Sequence, residues 1–150
     1  MPDAATSRNG RIPIREGLLS LPLSDLQQVR LMGSCCSTCN ETAFGAHHSV
    51  CPNCGRDTLT LLPLSASGTL WTYTVVRHRP PGNYKGPDSF VPFGLGLVEL
   101  PEGVRVLAPL ECPLEQLRIG LPLQFHAFVR AGGGDPEVVE FVFKWIPAAD

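Results

Sequence analysis

The sequence has few charged residues, few aromatic residues and no long apolar run. Charged residues make up 17% and aromatic residues 7% of the chain, and proline or glycine interrupts every apolar run before it could span a bilayer. The first residues, MPDAATSRNGR, contain no apolar stretch of the kind found in signal peptides. These absences exclude a membrane-spanning protein and favour a cytoplasmic location over export.

The sequence also lacks an excess of basic residues. Its 12 Lys and Arg residues stand against 14 Asp and Glu residues, which gives a formal net charge of −2. Proteins that neutralise many phosphates usually carry a clear basic excess, so nucleic acid is not the expected partner. With 43% hydrophobic residues in 150, the composition is that of one globular domain or of two small units.

Cysteine, in contrast, is concentrated in one short stretch, CCSTCNETAFGAHHSVCPNC at residues 35–54. In a cytoplasmic protein, closely spaced cysteines are more often metal ligands than disulfide partners. Two C-x2-C loops separated by eleven residues are typical of a four-thiolate zinc site with a short hairpin between its halves. The sequence therefore predicts a structural zinc ion bound by Cys36, Cys39, Cys51 and Cys54.

Other ligand sets remain open within this stretch. Cys35 could replace Cys36 through a C-x3-C loop, and His47 or His48 could act as ligands, although an exposed turn explains the histidines more simply. Iron in a rubredoxin-like centre would use the same four thiolates as zinc. Because four protein ligands leave no position for water or substrate, the expected role is structural rather than catalytic.

The rest of the chain is predicted to be mainly β. Residues 1–11 are expected to form a flexible tail, residues 12–33 a helical docking segment with Ser24 as a candidate N-cap, and residues 34–62 the zinc ribbon. Residues 63–150 contain alternating, β-branched and aromatic segments that predict strands. Five antiparallel strands fit the small barrel of an OB fold better than a β-sandwich. The strands are predicted at 68–79, 90–100, 104–111, 121–130 and 137–146, with PLEQLRIG as a turn or short helical piece.

The order of these motifs resembles a known family. The ribbon is followed by SGTLWTYTVV, then by VPFGLGLVELPEGVRVLAPL and then by CPLEQLRIGLPLQF. This order is similar to that of the OB-fold proteins with a rubredoxin-like zinc ribbon known as domain of unknown function thirty-five, from about Ile14 to Pro147. The chain departs from the family between the two C-x2-C loops, where Phe44-Gly45-Ala46-His47-His48 replaces a frequent aromatic-Pro-Pro-Arg run.

The resemblance implies a function and a set of partners. Members of the family look like small, non-catalytic subunits of thiolase-fold enzymes that act on acyl-CoA, and the resemblance places the metal ligands on the same four cysteines. It implies that the N-terminal segment and the ribbon dock on a thiolase-like subunit, for example in a heteromeric thiolase of aromatic degradation. The OB domain would lie near the acyl-CoA entrance. The chain is therefore expected to stabilise a catalytic subunit that cleaves a β-ketoacyl-CoA, and to shape its acyl-CoA channel.

Three cations are candidates for contact with CoA. Arg77, Arg79 and Lys85 lie in or beside PPGNYKGPDS, the long loop between the first two barrel strands, and CoA phosphates require cations and backbone donors. A solvated loop without a ligand is the simpler interpretation. No nucleophile–base pair is expected, since Cys112 is predicted to be an inert thiol and His78 and His126 to be packed or rim residues.

The alternative function is that of a nucleic-acid-binding zinc-ribbon and OB module. Trp71 and Tyr73 of the first barrel strand could stack on bases in such a module, although core or interface positions explain them better.

Overall fold

A computed structural model describes residues 10–82, 84, 86–134 and 136–147 of the chain. In this part the chain forms nine β-strands and one 3-10 helix, Leu114–Gln116, so the predicted mainly β class is confirmed. None of the described helical residues forms a helix long and apolar enough to cross a bilayer. The strands are β1 (Arg11–Pro13), β2 (Met32–Cys36), β3 (Thr42–Phe44), β4 (Leu59–Pro63), β5 (Ser67–Val76), β6 (Phe93–Glu99), β7 (Arg105–Glu111), β8 (Pro122–Val129) and β9 (Glu137–Trp145).

Strands β5 to β9 form a closed five-stranded barrel, as predicted for an OB fold. Their order is β9-β7-β6-β5-β8, and β8 pairs back to β9. All neighbours are antiparallel except β7 and β9, which run parallel at Leu110↔Phe143 and Glu111↔Lys144. The 3-10 helix lies between β7 and β8, in the segment predicted to be a turn or a short helical piece.

The barrel strands place side chains alternately toward core and solvent, most regularly in β6 and β7. In β7, Val106, Ala108 and Leu110 are buried while the residues between them are exposed, which is the period of two expected for a half-buried strand. In β6 the inward positions include glycine. A Cβ at Gly96 would lie 2.6 Å from Leu70 Cδ1, so the glycine leaves room for a large aliphatic side chain inside the narrow barrel.

The prediction of a helical segment over residues 12–33 is wrong. The chain there runs from β1, which pairs in parallel with β9, through turns and an isolated Leu19↔Leu31 bridge into β2. The side chains of Leu19, Leu23, Val29 and Leu31 are buried, and this spacing does not follow a helical period. Tertiary packing therefore decides the local structure, since these residues belong to the same hydrophobic core as the barrel residues.

Residues 1–9 of the predicted flexible tail, residues 1–11, lie outside the described residues. Gly10 and Arg11 are held in place: the Gly10 carbonyl accepts a hydrogen bond from the Glu137 N–H at 3.0 Å, and Arg11 is the first residue of β1.

The ribbon sheet has β2 at its centre, with β3 and β4 paired antiparallel on either side. It joins the barrel through a continuous core, because Leu31 and Leu64 belong to the same hydrophobic cluster as the barrel residues. The connection after β4 is fixed by Glu102 in the β6–β7 turn. Its carboxylate accepts hydrogen bonds from the Ser65 hydroxyl at 2.6 Å and from the Ser65 N–H at 3.2 Å. The ribbon therefore has a defined position on the barrel.

Candidate metal centre

The ribbon brings four cysteine sulfurs to one point. The Sγ atoms of Cys36, Cys39, Cys51 and Cys54 all lie within 4.8 Å of one another. Cys36 lies at the end of β2, Cys39 in the turn after it, and the other two cysteines in the turn before β4. Each turn thus contributes one pair of thiols to a four-cysteine cluster of the zinc-ribbon type.

The two cysteine turns have the same backbone geometry. In the first, the Asn40 N–H donates to the Cys36 carbonyl at 2.8 Å; in the second, the Gly55 N–H donates to the Cys51 carbonyl at 2.8 Å. Asn40 and Gly55 both have positive φ, 62° and 81°. Asparagine is one of the few residues with a side chain that adopts this region readily, so Asn40 takes the role that glycine has in the second turn.

A second hydrogen bond closes each turn in the same way. The N–H of Cys36 donates to the Glu41 carbonyl at 2.9 Å, and the N–H of Cys51 donates to the Arg56 carbonyl at 2.7 Å. The two halves of the site are therefore repeats of one loop, and together they present their sulfurs from opposite sides.

The distances between the sulfurs fit a tetrahedral ion. Cys36 Sγ lies 3.6 Å from Cys54 Sγ, and Cys39 Sγ lies 3.7 Å from Cys51 Sγ. Four thiolates at about 2.3 Å from a zinc ion would be separated by about 3.8 Å. The donor set and its spacing thus fit a zinc-type ion, and the four cysteines can hold a metal ion.

Neighbouring side chains favour the thiolate form of two of the cysteines. The Thr58 hydroxyl, 3.4 Å from Cys36 Sγ, and the Cys39 backbone lower the pKa of the Cys36 thiol to about 6. Hydrogen bonds from the Asn53 side chain and the Glu41 backbone lower the pKa of Cys39. Thr58 is held in turn by the Thr38 hydroxyl at 2.7 Å. Thr58 and Asn53 thus support the cluster from outside it.

The fourth thiol shows how a cation would favour full ionisation of the cluster. A backbone hydrogen bond from Arg56 lowers the pKa of Cys54, but desolvation and the three neighbouring thiols raise it to about 11. Four negative charges within 4.8 Å repel one another. A divalent ion removes this repulsion and allows all four thiols to ionise.

The alternative ligands lie outside the cluster. Cys35 precedes Cys36 in β2 and pairs with Thr42 and Thr60, so the alternation of the strand directs its side chain away from the four sulfurs. The His48 ring nitrogen Nε2 is hydrogen-bonded to the Phe44 carbonyl at 2.8 Å, and the His47 ring packs on that of His48. Both histidines thus have a structural role in the turn that follows β3.

The predicted CoA-contacting cations are only partly described. Arg77 is exposed. Arg79 is also exposed, but its guanidinium donates to the Pro87 and Asp88 carbonyls at 3.3 and 3.2 Å and lies 5.4 Å from the centre of the Tyr84 ring. Lys85 lies outside the described residues. Arg79 therefore braces its own loop, and Arg77 is exposed to solvent.

A shallow apolar groove lies between the N-terminal segment and the ribbon. Its volume is about 460 Å³, and Leu21 and Leu61 at its rim are 51% and 54% exposed. Neither residue was singled out in the sequence, because each side chain becomes part of a groove only when two distant segments meet. The lining residues include Pro13, Leu19, Leu21, Met32, Leu61 and Pro63.

The other candidate side chains form no catalytic pair in the described part of the chain. The Cys112 thiol donates to the Pro113 carbonyl at 3.3 Å, and burial and the charge of Glu115 raise its pKa, as expected of an inert thiol. His126 stacks on Phe128 along β8, and His78 is exposed.

The two aromatic residues of β5 have different surroundings. Trp71 lies at a β-bulge and is covered by the Arg105 guanidinium at 3.9 Å. Tyr73 lies opposite Gly96, and its hydroxyl donates to the Leu117 carbonyl at 3.1 Å. They do not form a shared stacking platform.

Comparisons with known proteins agree with this architecture. Residues 62–128 match the family model described as ChsH2, C-terminal OB-fold domain. DUF35 domain-containing scaffold proteins are similar to the chain: one from Methanocaldococcus jannaschii (29% identity, 78% of this chain and 81% of that protein) and one from Pyrococcus furiosus (30% identity, 65% and 68%). The benzoylsuccinyl-CoA thiolase subunit BbsA of Thauera aromatica is 30% identical over 63% of this chain and 60% of that subunit.

A solved structure described as an Ltp2-ChsH2(DUF35) aldolase is also similar. It aligns with a TM-score of 0.58 and 27% identity, over 77% of this chain and 84% of that one.

Proposed function

Because the chain belongs to the family of DUF35 domain-containing proteins, we propose that it is a non-catalytic accessory subunit of a thiolase-type enzyme acting on a β-ketoacyl-CoA. The names of its relatives support this: two are scaffold proteins, one is a thiolase subunit, and the similar solved structure is an aldolase that includes a DUF35 component. The chain would stabilise its catalytic partner and form one wall of the acyl-CoA channel.

The apolar groove carries this proposal. Leu21 and Leu61 are half-exposed at the rim of an apolar depression, and a contiguous apolar patch of this kind is a candidate surface for binding another protein. Most of the residues that line it are apolar, with Glu16 and Ser20 among the polar ones, so the groove is suited to binding an apolar protein surface. A partner with a protruding apolar side chain would fill it.

The metal site gives this surface its shape. In the proposal, a structural zinc ion bound by Cys36, Cys39, Cys51 and Cys54 holds the two turns together. The ion closes the coordination sphere with four protein ligands. Its contribution is to folding: it fixes β2 and β4, on which three groove residues lie, Met32, Leu61 and Pro63.

The loop between β5 and β6 is the part of the barrel proposed to approach CoA. It is organised by an aromatic cluster in which the Tyr84 ring lies 6.0 Å from Phe90 and 6.3 Å from Phe93. Arg79 braces the loop from one side, and in the proposal the three cations Arg77, Arg79 and Lys85 of this region contact the CoA phosphates. Such a loop would position the thioester and exclude water without supplying a catalytic group.

The nucleic-acid alternative has less support. OB folds bind oligonucleotides through the outer face of their second and third strands and the adjoining loops, which here are β6 and β7. The outward residues of these strands are mainly aliphatic, as at Leu95, Leu97 and Leu107, and Arg105 is the basic residue among them and contacts Glu99. Aliphatic side chains offer neither stacking surfaces nor phosphate ligands. Retention of single strands on a filter across a salt series tests this alternative directly.

Affinity capture tests the main proposal. The full chain, tagged and loaded with zinc, is incubated with extract of its own source cells, and captured proteins are identified by mass spectrometry. We expect a thiolase-fold protein to be captured in fixed stoichiometry. Leu21→Glu with Leu61→Glu should remove at least nine-tenths of it, whereas Ile119→Glu, at a site that is 71% exposed, should leave capture unchanged. Failure to capture any thiolase-fold protein, or equal capture by the groove variant, contradicts the proposal.

Kinetics of the resulting complex test the role of the loop. Replacing Arg77, Arg79 and Lys85 with alanine should raise KM for the acyl-CoA roughly tenfold, which corresponds to about 1.4 kcal/mol of binding, with kcat little changed. Arg56→Ala with Arg118→Ala, two exposed arginines outside this loop, is the matched control. An unchanged KM in the loop variant would show that the loop does not contact CoA.

A further inference from the structure

The outer face of β7 carries a self-complementary row of side chains. Its four outward residues are Arg105, Leu107, Pro109 and Glu111, and all four are exposed. The row therefore has a cation at one end, a carboxylate at the other and two apolar residues between them. The row is about 20 Å long. A half-turn about its midpoint, at Ala108, exchanges the position of the cation with that of the carboxylate.

The neighbouring strand widens the apolar centre. Leu97 and Leu95 of β6 pair with Leu107 and Pro109 of β7, so the four side chains form one contiguous outward patch. Leu107 is 61% exposed, so the centre of this patch is accessible to a partner. We call these four residues, with Arg105 and Glu111 at the two ends, the β6–β7 face.

Contacts within the chain already position the two charged side chains at the ends of the face. Arg105 donates to the Glu99 carboxylate through Nε at 3.0 Å, and its guanidinium carbon lies over the Trp71 ring, 3.9 Å from the ring centre. Its two terminal nitrogens remain available to a second carboxylate. At the other end, Glu111 lies 3.5 Å from Lys144 Nζ, and the side chain of Glu111 is 59% exposed. Neither charge is buried by its own chain.

We infer that the β6–β7 face binds a second copy of this chain through a two-fold axis perpendicular to β7. With the two β7 strands antiparallel, Arg105 of each copy meets Glu111 of the other, and Leu107 of each meets Pro109 of the other. This is the isologous pairing expected of a homodimer, in which one patch contacts itself. The apolar centre supplies the attraction, and the charges fix the orientation, since exposed ion pairs alone contribute little.

The charge pattern selects this partner over others. A parallel stacking of two copies would place Arg105 against Arg105 and Glu111 against Glu111, and like charges in an interface are unfavourable. A different protein would have to present a carboxylate, two apolar side chains and a cation at the matching spacing. A second copy rotated by a half-turn presents this arrangement by symmetry. The face shares no residue with the groove between the N-terminal segment and the ribbon, so a dimer of this chain could hold two catalytic subunits.

Charge exchange between copies tests the inference. The full zinc-loaded chain is examined by analytical ultracentrifugation over a concentration series, and we expect a monomer–dimer equilibrium. Arg105→Glu and Glu111→Arg should each raise the dimer Kd at least tenfold, because each change places like charges at both symmetric ends. An equimolar mixture of the two variants should form a heterodimer, and the double variant should dimerise like the wild type. Arg118→Glu, outside the face, is the control.

Each result has a defined meaning. Recovery of dimers in the mixture and in the double variant supports the antiparallel two-fold pairing, provided that circular dichroism shows every variant to be folded. A wild-type chain that stays monomeric up to its solubility limit overturns the inference. So do single variants that dimerise as the wild type does, or a mixture that stays monomeric. The measurement needs no catalytic partner, so its outcome is independent of the proposed function.

Discussion

Replacing either of two adjacent cysteines should have opposite consequences. Cys36→Ser removes a sulfur that lies 3.6 Å from Cys54 Sγ, whereas Cys35→Ser removes a thiol outside the four-sulfur cluster. The two changes are chemically identical and one residue apart in β2. The first should abolish tight metal binding and unfold the two cysteine turns; the second should leave both intact.

The size of the effect follows from how little core the ribbon has. Between residues 37 and 58, the buried residues are Gly45 and Cys51, so almost no apolar burial offsets the entropy of ordering this segment. Binding of structural zinc contributes about 10–16 kcal/mol at pH 7 in comparable sites, and loss of one of four thiolates should remove several kcal/mol of this. The ribbon tip should therefore unfold locally, while the barrel core stays folded.

Hydrogen exchange combined with metal analysis measures both outcomes. In the wild type and in Cys35→Ser we expect one zinc per chain and slow exchange of the Asn40 and Gly55 amides, which donate to cysteine carbonyls. In Cys36→Ser the metal should be lost and these amides should exchange rapidly. The Val106 and Phe143 amides, in the barrel strands, should stay protected in all three proteins.

The reasoning fails on either of two results. If Cys36→Ser keeps a full equivalent of zinc with protected turn amides, Cys36 is not a ligand. If Cys35→Ser loses the metal, the sulfur assignment in β2 must be reversed.

Two further predictions concern the packing of the barrel and the contact that links it to the ribbon. Gly68→Ala should lower the free energy of unfolding by about 1–3 kcal/mol, because the added Cβ would lie 2.7 Å from Val98 Cγ1. Gly94→Ala should lower it less, because its Cβ would have no contact closer than 3.1 Å. Urea unfolding of the two variants measures both changes. Partial burial raises the pKa of Glu102, but hydrogen bonds from Ser65 outweigh it and lower the pKa. This carboxylate therefore stabilises the fold at neutral pH and loses the effect as pH falls through its folded pKa. The stability difference between wild type and Glu102→Gln should shrink between pH 7 and about pH 3, and a constant difference would contradict this role.

The strands of the barrel could be predicted because their information is local. The segments predicted at 104–111 and 137–146 correspond to Arg105–Glu111 and Glu137–Trp145, since short runs rich in apolar, β-branched or aromatic residues between turn signals suffice to predict a strand. The second strand was predicted from residue 90 but begins at Phe93, because Pro92 cannot donate to the ladder.

The N-terminal segment and the support of the metal cluster depend on distant contacts. Leu19 and Leu31 are brought together by an isolated bridge, so a short apolar pattern alone suggests a helix where none forms. Thr58 contacts Cys36 from 22 positions away, and nothing in its local sequence marks it. Asn40 could have been found, since it follows the first C-x2-C pair as Gly55 follows the second.

The four-cysteine cluster and the apolar groove are connected by the same pair of strands. β2 carries Met32 of the groove at its start and the ligand Cys36 at its end, and it pairs along its length with β4, which carries Leu61 and Pro63. Loss of the ion would release the far ends of both strands, because the turns beyond them have almost no core of their own. An ion that touches neither substrate nor partner would then still determine whether the docking surface exists. Metal-depleted chain should accordingly no longer capture the thiolase-fold protein expected under the proposed function, while its barrel amides stay protected from exchange.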